Sequence, residues 1–323
     1  MLASEYTNVL VAVIMVTSFL YEFSNRFRLY LKFLLYYSMV MMCSVMAIPL
    51  IIWRPRDVRN TLLGAAELKA TTSLPYGLLQ GRAGQLLWPH PHADTSWPLI
   101  ASFMLIATFP LRSLNLLLGL EWEVHGQEHI TVDRAAIVVA NHQSSLDFLG
   151  MVYMWPMFYK ITAIAKKELF YAMPFGLTAW LCGTRFIDRR NPDRAKASMN
   201  AALAYVKEEK VKLWVFPEGT RSMSDEMLPF KKGAFHLAVE GQLPILPIVY
   251  SSYRGFLSHP LKIFNPGHVI VTCLPPISTK GMTKEDMPKL MEDVRAQMME
   301  VYRKTSTQVH HPRPLAEEVK KQR

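Results

Sequence analysis

Only three cysteines, Cys43, Cys182 and Cys273, occur in 323 residues. They are odd in number, far apart and each set in an apolar run. That excludes a disulfide framework and the paired spacing of a thiolate metal site, and leaves buried thiols as the expectation. Metal-ligating combinations are scarce as well. His90, His92 and Asp94 lie close together, but their spacing fits no standard site and Pro91 between the histidines opposes a helix, so no metal is expected. The chain has no Gly-x-Ser-x-Gly nucleophile turn. It has no basic segment ahead of its first apolar run, where the first charged residue is Glu5, so that run does not read as a cleaved leader. Internal repeats and long low-complexity tracts are missing too. The net charge of +10 has no nucleic-acid recognition motif beside it, which argues against a nucleic-acid partner and for anionic lipid headgroups.

What is abundant is apolar residues, 50% of the chain, unevenly placed. Residues 33–53 hold no charge; as a helix they would span roughly 31 Å, about one hydrocarbon core. Pro49 is placed to bend the end of that helix. Residues 7–21 form a shorter apolar run, a tilted span or a segment that enters one leaflet. Arg26, Arg28 and Lys32 precede the second run, and Arg54, Arg56 and Arg59 follow it, so basic residues do not orient it. Residues 73–98, rich in Pro, Gly, His and Trp, read as a loop. Residues 99–120 are apolar again but contain Pro110, Arg112 and Asn115, which favours an interfacial or core-packing helix over a third crossing.

From Glu121 the pattern alternates. Strand-like runs fall at 122–125, 136–140, 161–165, 186–188, 212–216, 245–250 and 268–273. Helix-like runs fall at 146–155, 168–181, 192–209, 231–241 and 284–303. This predicts an α/β domain with a mostly parallel sheet flanked by helices, preceded by an N-terminal hydrophobic helical membrane anchor. In such sheets a site gathers beyond the carboxyl ends of the strands.

Two polar blocks sit at such ends. Asn141-His142-Gln143-Ser144-Ser145-Leu146-Asp147 lies between a strand and a helix. Asp147 can orient the His142 imidazole and stabilise its cation, leaving the other ring nitrogen to take a proton from a hydroxyl. The same residues also satisfy a helix capping box, Ser144-x-x-Asp147, with Ser144 as the cap. The second block, Phe216-Pro217-Glu218-Gly219-Thr220-Arg221, again follows a strand. Gly219 permits close backbone approach, Thr220 offers a hydroxyl and Arg221 a fork suited to phosphate, although Glu-Gly-Thr-Arg alone is an ordinary turn. Glu218 either holds Arg221 or meets an acceptor hydroxyl. Lys166 and Lys167 end a strand and are further cations, with a solvated face as the plainer reading. His236 reads as a packed or edge histidine.

These blocks, with Gly183-Thr184-Arg185-Phe186-Ile187-Asp188-Arg189 between them and Leu243-Pro244-Ile245-Leu246-Pro247-Ile248-Val249 after, resemble the four ordered motifs of the glycerolipid acyltransferases, and among these the 1-acylglycerol-3-phosphate acyltransferases. The resemblance covers about residues 121–305. It implies acyl transfer from acyl-CoA, as co-substrate with no further cofactor, to the sn-2 hydroxyl of lysophosphatidate, without an acyl-enzyme. His142 would be the base, Asp147 its orienter, and Arg221, then Arg189, then Lys166 the phosphate cations, with Glu218, Gly219 and Thr220 in the substrate site. Arg185 and Arg190 lie beside the motif and receive no role. Another lysophospholipid or glycerol 3-phosphate would need the same groups, and a non-catalytic lipid-binding or membrane-shaping protein could use the same fold. The expected organisation is an anchor at 1–60, an insertion loop and interfacial helix at 61–120, the catalytic domain at 121–305 and a basic tail at 306–323. The final Lys320-Lys321-Gln322-Arg323 resembles a dilysine retrieval signal, which implies an endoplasmic-reticulum membrane protein with a cytosolic catalytic domain.

Overall fold

A computed structural model describes residues 2–52, 114–158, 160–188 and 192–311. The 73–98 loop with its two histidines, residues 99–113 of the third apolar run, Arg189 and the last four residues lie outside these. Two helices lead, α1 (Leu2–Phe23) and α2 (Asn25–Ile51). There follow β1 (Leu120–His125), β2 (Ala136–Ala140), α3 (Asp147–Met154), β3 (Ile161–Lys166), α4 (Phe175–Leu181) and β4 (Arg185–Ile187). The remainder is α5 (Pro192–Glu208), β5 (Lys212–Val215), α6 (Lys232–Gly241), β6 (Ile245–Tyr250), the hairpin of β7 (Leu257–Ser258) and β8 (Ile263–Phe264), β9 (Gly267–Cys273) and α7 (Met287–Gln308).

Among the described residues, seven strands form one sheet in the order β1-β9-β6-β2-β5-β3-β4. The run from β6 to β4 is parallel, while β1 and β9 pair in parallel with each other and run opposite to β6. All five residues of β2 are buried, as expected of a central strand covered on both faces. Ala136, Val138 and Ala140 join a core with α2 and α3, while Ile137 and Val139 join a second core with α5, α6 and α7. Strand alternation thus places one apolar layer on each side of the sheet. The predicted helix at 168–181 is broken into a 3-10 segment, Lys167–Tyr171, and α4, because Pro174 has no N–H to continue the first and suits the start of the second. The predicted buried thiols are found at Cys43 and Cys273; Cys182 is only partly covered, and none of the three is joined in a disulfide.

The leading helices differ from each other. α1 is exposed along the apolar faces that include Val9, Val13, Ile14 and Phe19. α2 instead lays a stripe, Leu29, Lys32, Tyr36, Val40 and Cys43, against the domain, at helical spacing. Its basic residues do not simply flank an apolar run. Lys32 Nζ, fully buried, donates to the Leu118 carbonyl at 2.6 Å and sits 4.5 Å from the centre of the Phe264 ring. Arg28 donates to Asn265 Oδ1 at 3.1 Å and to the Tyr21 and Glu22 carbonyls at the end of α1. A buried cation is tolerable only with such partners, and here it fastens both α1 and the domain to α2. Farther along, Tyr36 donates to the Ser145 carbonyl at 2.9 Å and Thr178 to that of Ser44 at 3.0 Å. The uncharged stretch read as a span is therefore bound to the domain as far as Ser44.

α3 carries Asp147 and is set close to the sheet by Gly150. A methyl there would stand 2.6 Å from both Trp122 and Tyr250, and both rings are packed in the core. Gly150→Ala is expected to lower stability by about 1–3 kcal/mol through overpacking. It should also displace the start of α3, so activity measured well below the lowered melting temperature should fall as well. Unchanged thermal midpoint and unchanged activity would show that α3 can shift at no cost.

Candidate active site

The carboxyl ends of β2 and β5, hydrogen-bonded neighbours in the sheet, bring the two polar blocks together. His142 Nδ1 lies 2.6 Å from Asp147 Oδ2. The same oxygen accepts the backbone N–H of Gln143 at 2.7 Å and of Ser144 at 3.1 Å. The two sequence readings of Asp147 are therefore joined: it reaches back to Ser144 as a capping-box acid does, and it holds the imidazole. The expectation that Ser144 caps the helix is corrected. The residue at the helix boundary is Leu146, with no side-chain cap, and Ser144 Oγ instead accepts the Leu146 N–H at 3.4 Å. Of Ser144, the carbonyl and not the hydroxyl meets the first helical N–H, that of Asp147, at 3.3 Å.

Phe216 stacks on the imidazole, with ring centres 4.0 Å apart and planes within 15°. With one ring face covered and Nδ1 engaged, His142 presents its remaining nitrogen in a fixed direction. Its side chain keeps 23% exposure, while that of Asp147 keeps 1%. The imidazole can thus meet a substrate while its carboxylate partner is shielded from water.

Glu218 joins the two blocks. Oε1 accepts the His142 N–H at 2.7 Å and Oε2 the Leu228 N–H at 2.9 Å. Burial holds its carboxyl above the ordinary carboxylate range, against the opposing pull of those two N–H groups. Of the two roles left open for Glu218, neither is the one its contacts describe: both oxygens are engaged with backbone. Gly219 has φ +72°, and a side chain there would strike Lys231, which lies over it. Thr220 and Arg221 are exposed beyond this turn. Lys166 ends β3, two strands from β2 at the same edge of the sheet. Lys167 turns to Asp188 at 3.3 Å, and His236 pairs with Glu240 on its own helix at 2.9 Å.

Two site residues had no assigned role in the sequence. Asn141 exchanges hydrogen bonds with the backbone of Tyr250, at 2.8 and 3.0 Å, so its amide extends the β2–β6 pairing beyond the strand end. Gln143 donates to the Ser251 carbonyl at 2.9 Å and accepts the Tyr253 N–H at 3.1 Å. An Asn or Gln beside a motif histidine is too common a pattern to reveal this, since the partner backbone is about a hundred positions away. The β7–β8 hairpin was also missed, because two-residue strands carry no periodicity. It walls a cavity of about 730 Å³ that runs from Gln143 and Ser144 past Arg221 to Arg254 and His259.

The Acyltransferase family model matches residues 121–251. The chain is 44% identical over 205 residues to the mouse 1-acyl-sn-glycerol-3-phosphate acyltransferase alpha, covering 63% of this chain and 71% of that protein. It is 43% identical over 189 residues to the 1-acyl-sn-glycerol-3-phosphate acyltransferase of Saccharomyces cerevisiae, covering 58% and 61% of the two. The crystal structure of the 1-acyl-sn-glycerophosphate acyltransferase PlsC from Thermotoga maritima superposes with a TM-score of 0.51 at 27% identity, over 65% of this chain and 83% of that one. With its motifs on adjacent strand ends and relatives of this identity and coverage, the chain belongs to the 1-acyl-sn-glycerol-3-phosphate acyltransferase family.

Proposed function

We propose that this protein transfers an acyl group from acyl-CoA to the sn-2 hydroxyl of 1-acyl-glycerol 3-phosphate, with His142 as general base. The observation that carries the reading is the His142 imidazole, oriented by the buried Asp147 carboxylate, next to a cavity lined by the adjoining Gln143 and Ser144 and by Arg221. A secondary hydroxyl is a poor nucleophile at neutral pH. In the proposed step, its proton passes to the ring nitrogen of His142 that does not face Asp147. The hydroxyl oxygen attacks the thioester carbonyl, the carbon–sulfur bond breaks, and the thiolate of CoA recovers the proton from the imidazolium. Asp147 keeps the imidazole in the required tautomer and offsets its transient charge. Ser144 and Ser145 are not needed as nucleophiles: Ser145 Oγ accepts from the Tyr37 hydroxyl at 3.1 Å, and Ser144 Oγ serves the turn.

Arg221, exposed at the cavity, is proposed as the cation for the acceptor phosphate, with Arg189 and Lys166 as further candidates. Glu218 is proposed as a positioning residue that sets the distance between the His142 and Arg221 loops. Gly219 and Thr220 form the turn that delivers Arg221. Membrane attachment through α1 and α2 follows from their apolar surfaces. Because α2 is bound to the domain as far as Ser44 and ends at Ile51, only about 10 Å of it extends beyond, short of the roughly 30 Å needed to cross. That favours entry into one leaflet, with the domain on the cytosolic face where acyl-CoA is available.

His142→Ala should lower turnover by about 10²–10⁴-fold without loss of membrane association. Asp147→Asn should lose activity comparably, because an amide can hold the wrong tautomer. Turnover within a few-fold of wild type for either variant, in folded protein, would remove the base mechanism. Arg221→Ala should impair the phosphorylated acceptor more than acyl-CoA, by roughly 10-fold or more, as expected for a charge-assisted contact worth about 1.5–3 kcal/mol. Lysine should restore activity only in part; an unchanged acceptor KM and kcat would place the phosphate elsewhere. For topology, a C-terminal tag in sealed microsomes should be digested by added protease before detergent. Protection of that tag until detergent is added would put the domain in the lumen.

A further inference from the structure

The cavity beside His142 has a second cationic wall, outside the four motifs. Arg254 stands on it, four positions past the end of β6, and His259 stands in the turn of the β7–β8 hairpin. This wall is fixed with respect to His142. The Tyr253 N–H, one residue before Arg254, donates to Gln143, and the Arg254 N–H donates to Ser252 Oγ at 3.2 Å. On the outer side His259 stacks on Phe33 of α2, with ring centres 5.5 Å apart, and Phe33 also contacts Phe264. The imidazole of His259 is held below its ordinary range by burial first, then by the charges of Lys262 and Arg221.

The guanidinium of Arg254 is paired with Asp225, which lies on the loop that follows Arg221. That loop is itself anchored: the Ser222 N–H donates to the His142 carbonyl at 2.8 Å, and Tyr302 donates to the Ser224 carbonyl at 3.2 Å. Asp225 is 83% exposed and Arg254 48%. An exposed pair of this kind holds weakly. A phosphate monoester carries more charge than a carboxylate and offers three oxygens to the guanidinium fork, so it can take the place of Asp225.

We propose that Arg254 is a second binding residue for the phosphate monoester of the acceptor, across the cavity from Arg221, with Asp225 as the carboxylate that this phosphate displaces. The inference rests on the reading above, that the acceptor carries a phosphate and Arg221 meets it. It adds that the hairpin side of the cavity, built from the segment after the last motif, helps determine which acceptors are used. The acceptor phosphate, not a phosphate of CoA, is assigned because the cavity joins Arg254 to Arg221 beside the base.

The test uses full-length enzyme in detergent micelles, with Arg254→Gln, Arg254→Lys, Asp225→Asn and the double variant Arg254→Gln/Asp225→Asn. The acceptor is 1-acyl-glycerol 3-phosphate. Its KM is measured at saturating acyl-CoA, and the acyl-CoA KM at saturating acceptor. Arg254→Gln should raise the acceptor KM about 10-fold, with the acyl-CoA KM within two-fold of wild type, and lysine should recover part of the loss. Asp225→Asn should lower the acceptor KM about two- to five-fold by removing the competing carboxylate, and this gain should vanish in the double variant. A second readout needs no turnover: inorganic phosphate should raise the thermal midpoint of wild type above that in chloride of equal ionic strength, and this rise should shrink in Arg254→Gln. An acceptor KM unchanged in Arg254→Gln, a rise confined to the acyl-CoA KM, or an undiminished phosphate shift would each overturn the assignment. If wild type itself fails to use the acceptor, the proposed function falls, and the phosphate shift still decides the case of Arg254.

Discussion

One oxygen, Asp147 Oδ2, organises the turn that joins β2 to α3 and carries His142. It accepts the imidazole of His142 and two successive backbone N–H groups, all within 3.1 Å. A carboxylate with 1% exposure is costly unless its charge is met by donors, and here the donors are the turn itself. The need to satisfy the buried charge therefore fixes the path of residues 142–144 and, with it, the direction of the imidazole. The Tyr253 hydroxyl faces the same carboxylate. Burial, and then the charge of Asp147, hold that phenol protonated well above its ordinary range, so it remains a neutral neighbour. Structure and proposed catalysis use one group for one reason: the geometry that stabilises the charge also presents the imidazole proposed as base.

Around this turn, three further side chains do what regular strand pairing does elsewhere. Glu218 draws the β5 loop onto His142 through backbone N–H groups, while Asn141 and Gln143 draw the β6 loop onto the same segment. Loops beyond strand ends normally leave their peptide groups to water. Here the polar side chains take those groups, and the three loops become a single rigid rim. These bonds tie the two loops whose arginines, Arg221 and Arg254, line one cavity to the segment that carries His142.

The anchor is joined to the same rim. Arg28 and Lys32, which the charge pattern places between two apolar runs, are buried in contacts with Asn265, Leu118 and the end of α1. Tyr36 and Tyr37 reach Ser145, beside Asp147. The apolar surfaces of the leading helices and the turn that carries His142 are thus parts of one packed unit, connected by α2.

Local pattern determined much of this protein. All seven strands of the main sheet, the position of both polar blocks at strand ends, and the five-residue spacing that lets Asp147 reach His142 were legible, because each depends on apolar periodicity or on a contact within one turn. The exceptions within that range are instructive. A helix over 168–181 was periodic enough to expect but could not run through Pro174, and β7 and β8 are too short for any period. The tertiary structure alone decided the rest. It set Glu218 against His142 across 76 positions, Gln143 against Tyr253 across 110 and Arg28 against Asn265 across 237. It also turned an uncharged run that was long enough to cross a bilayer into a helix half committed to the domain. Such contacts depend on which strands become neighbours and on which buried polar groups find each other. That choice is made by the free energy of the whole packed core, and no stretch of residues carries it alone.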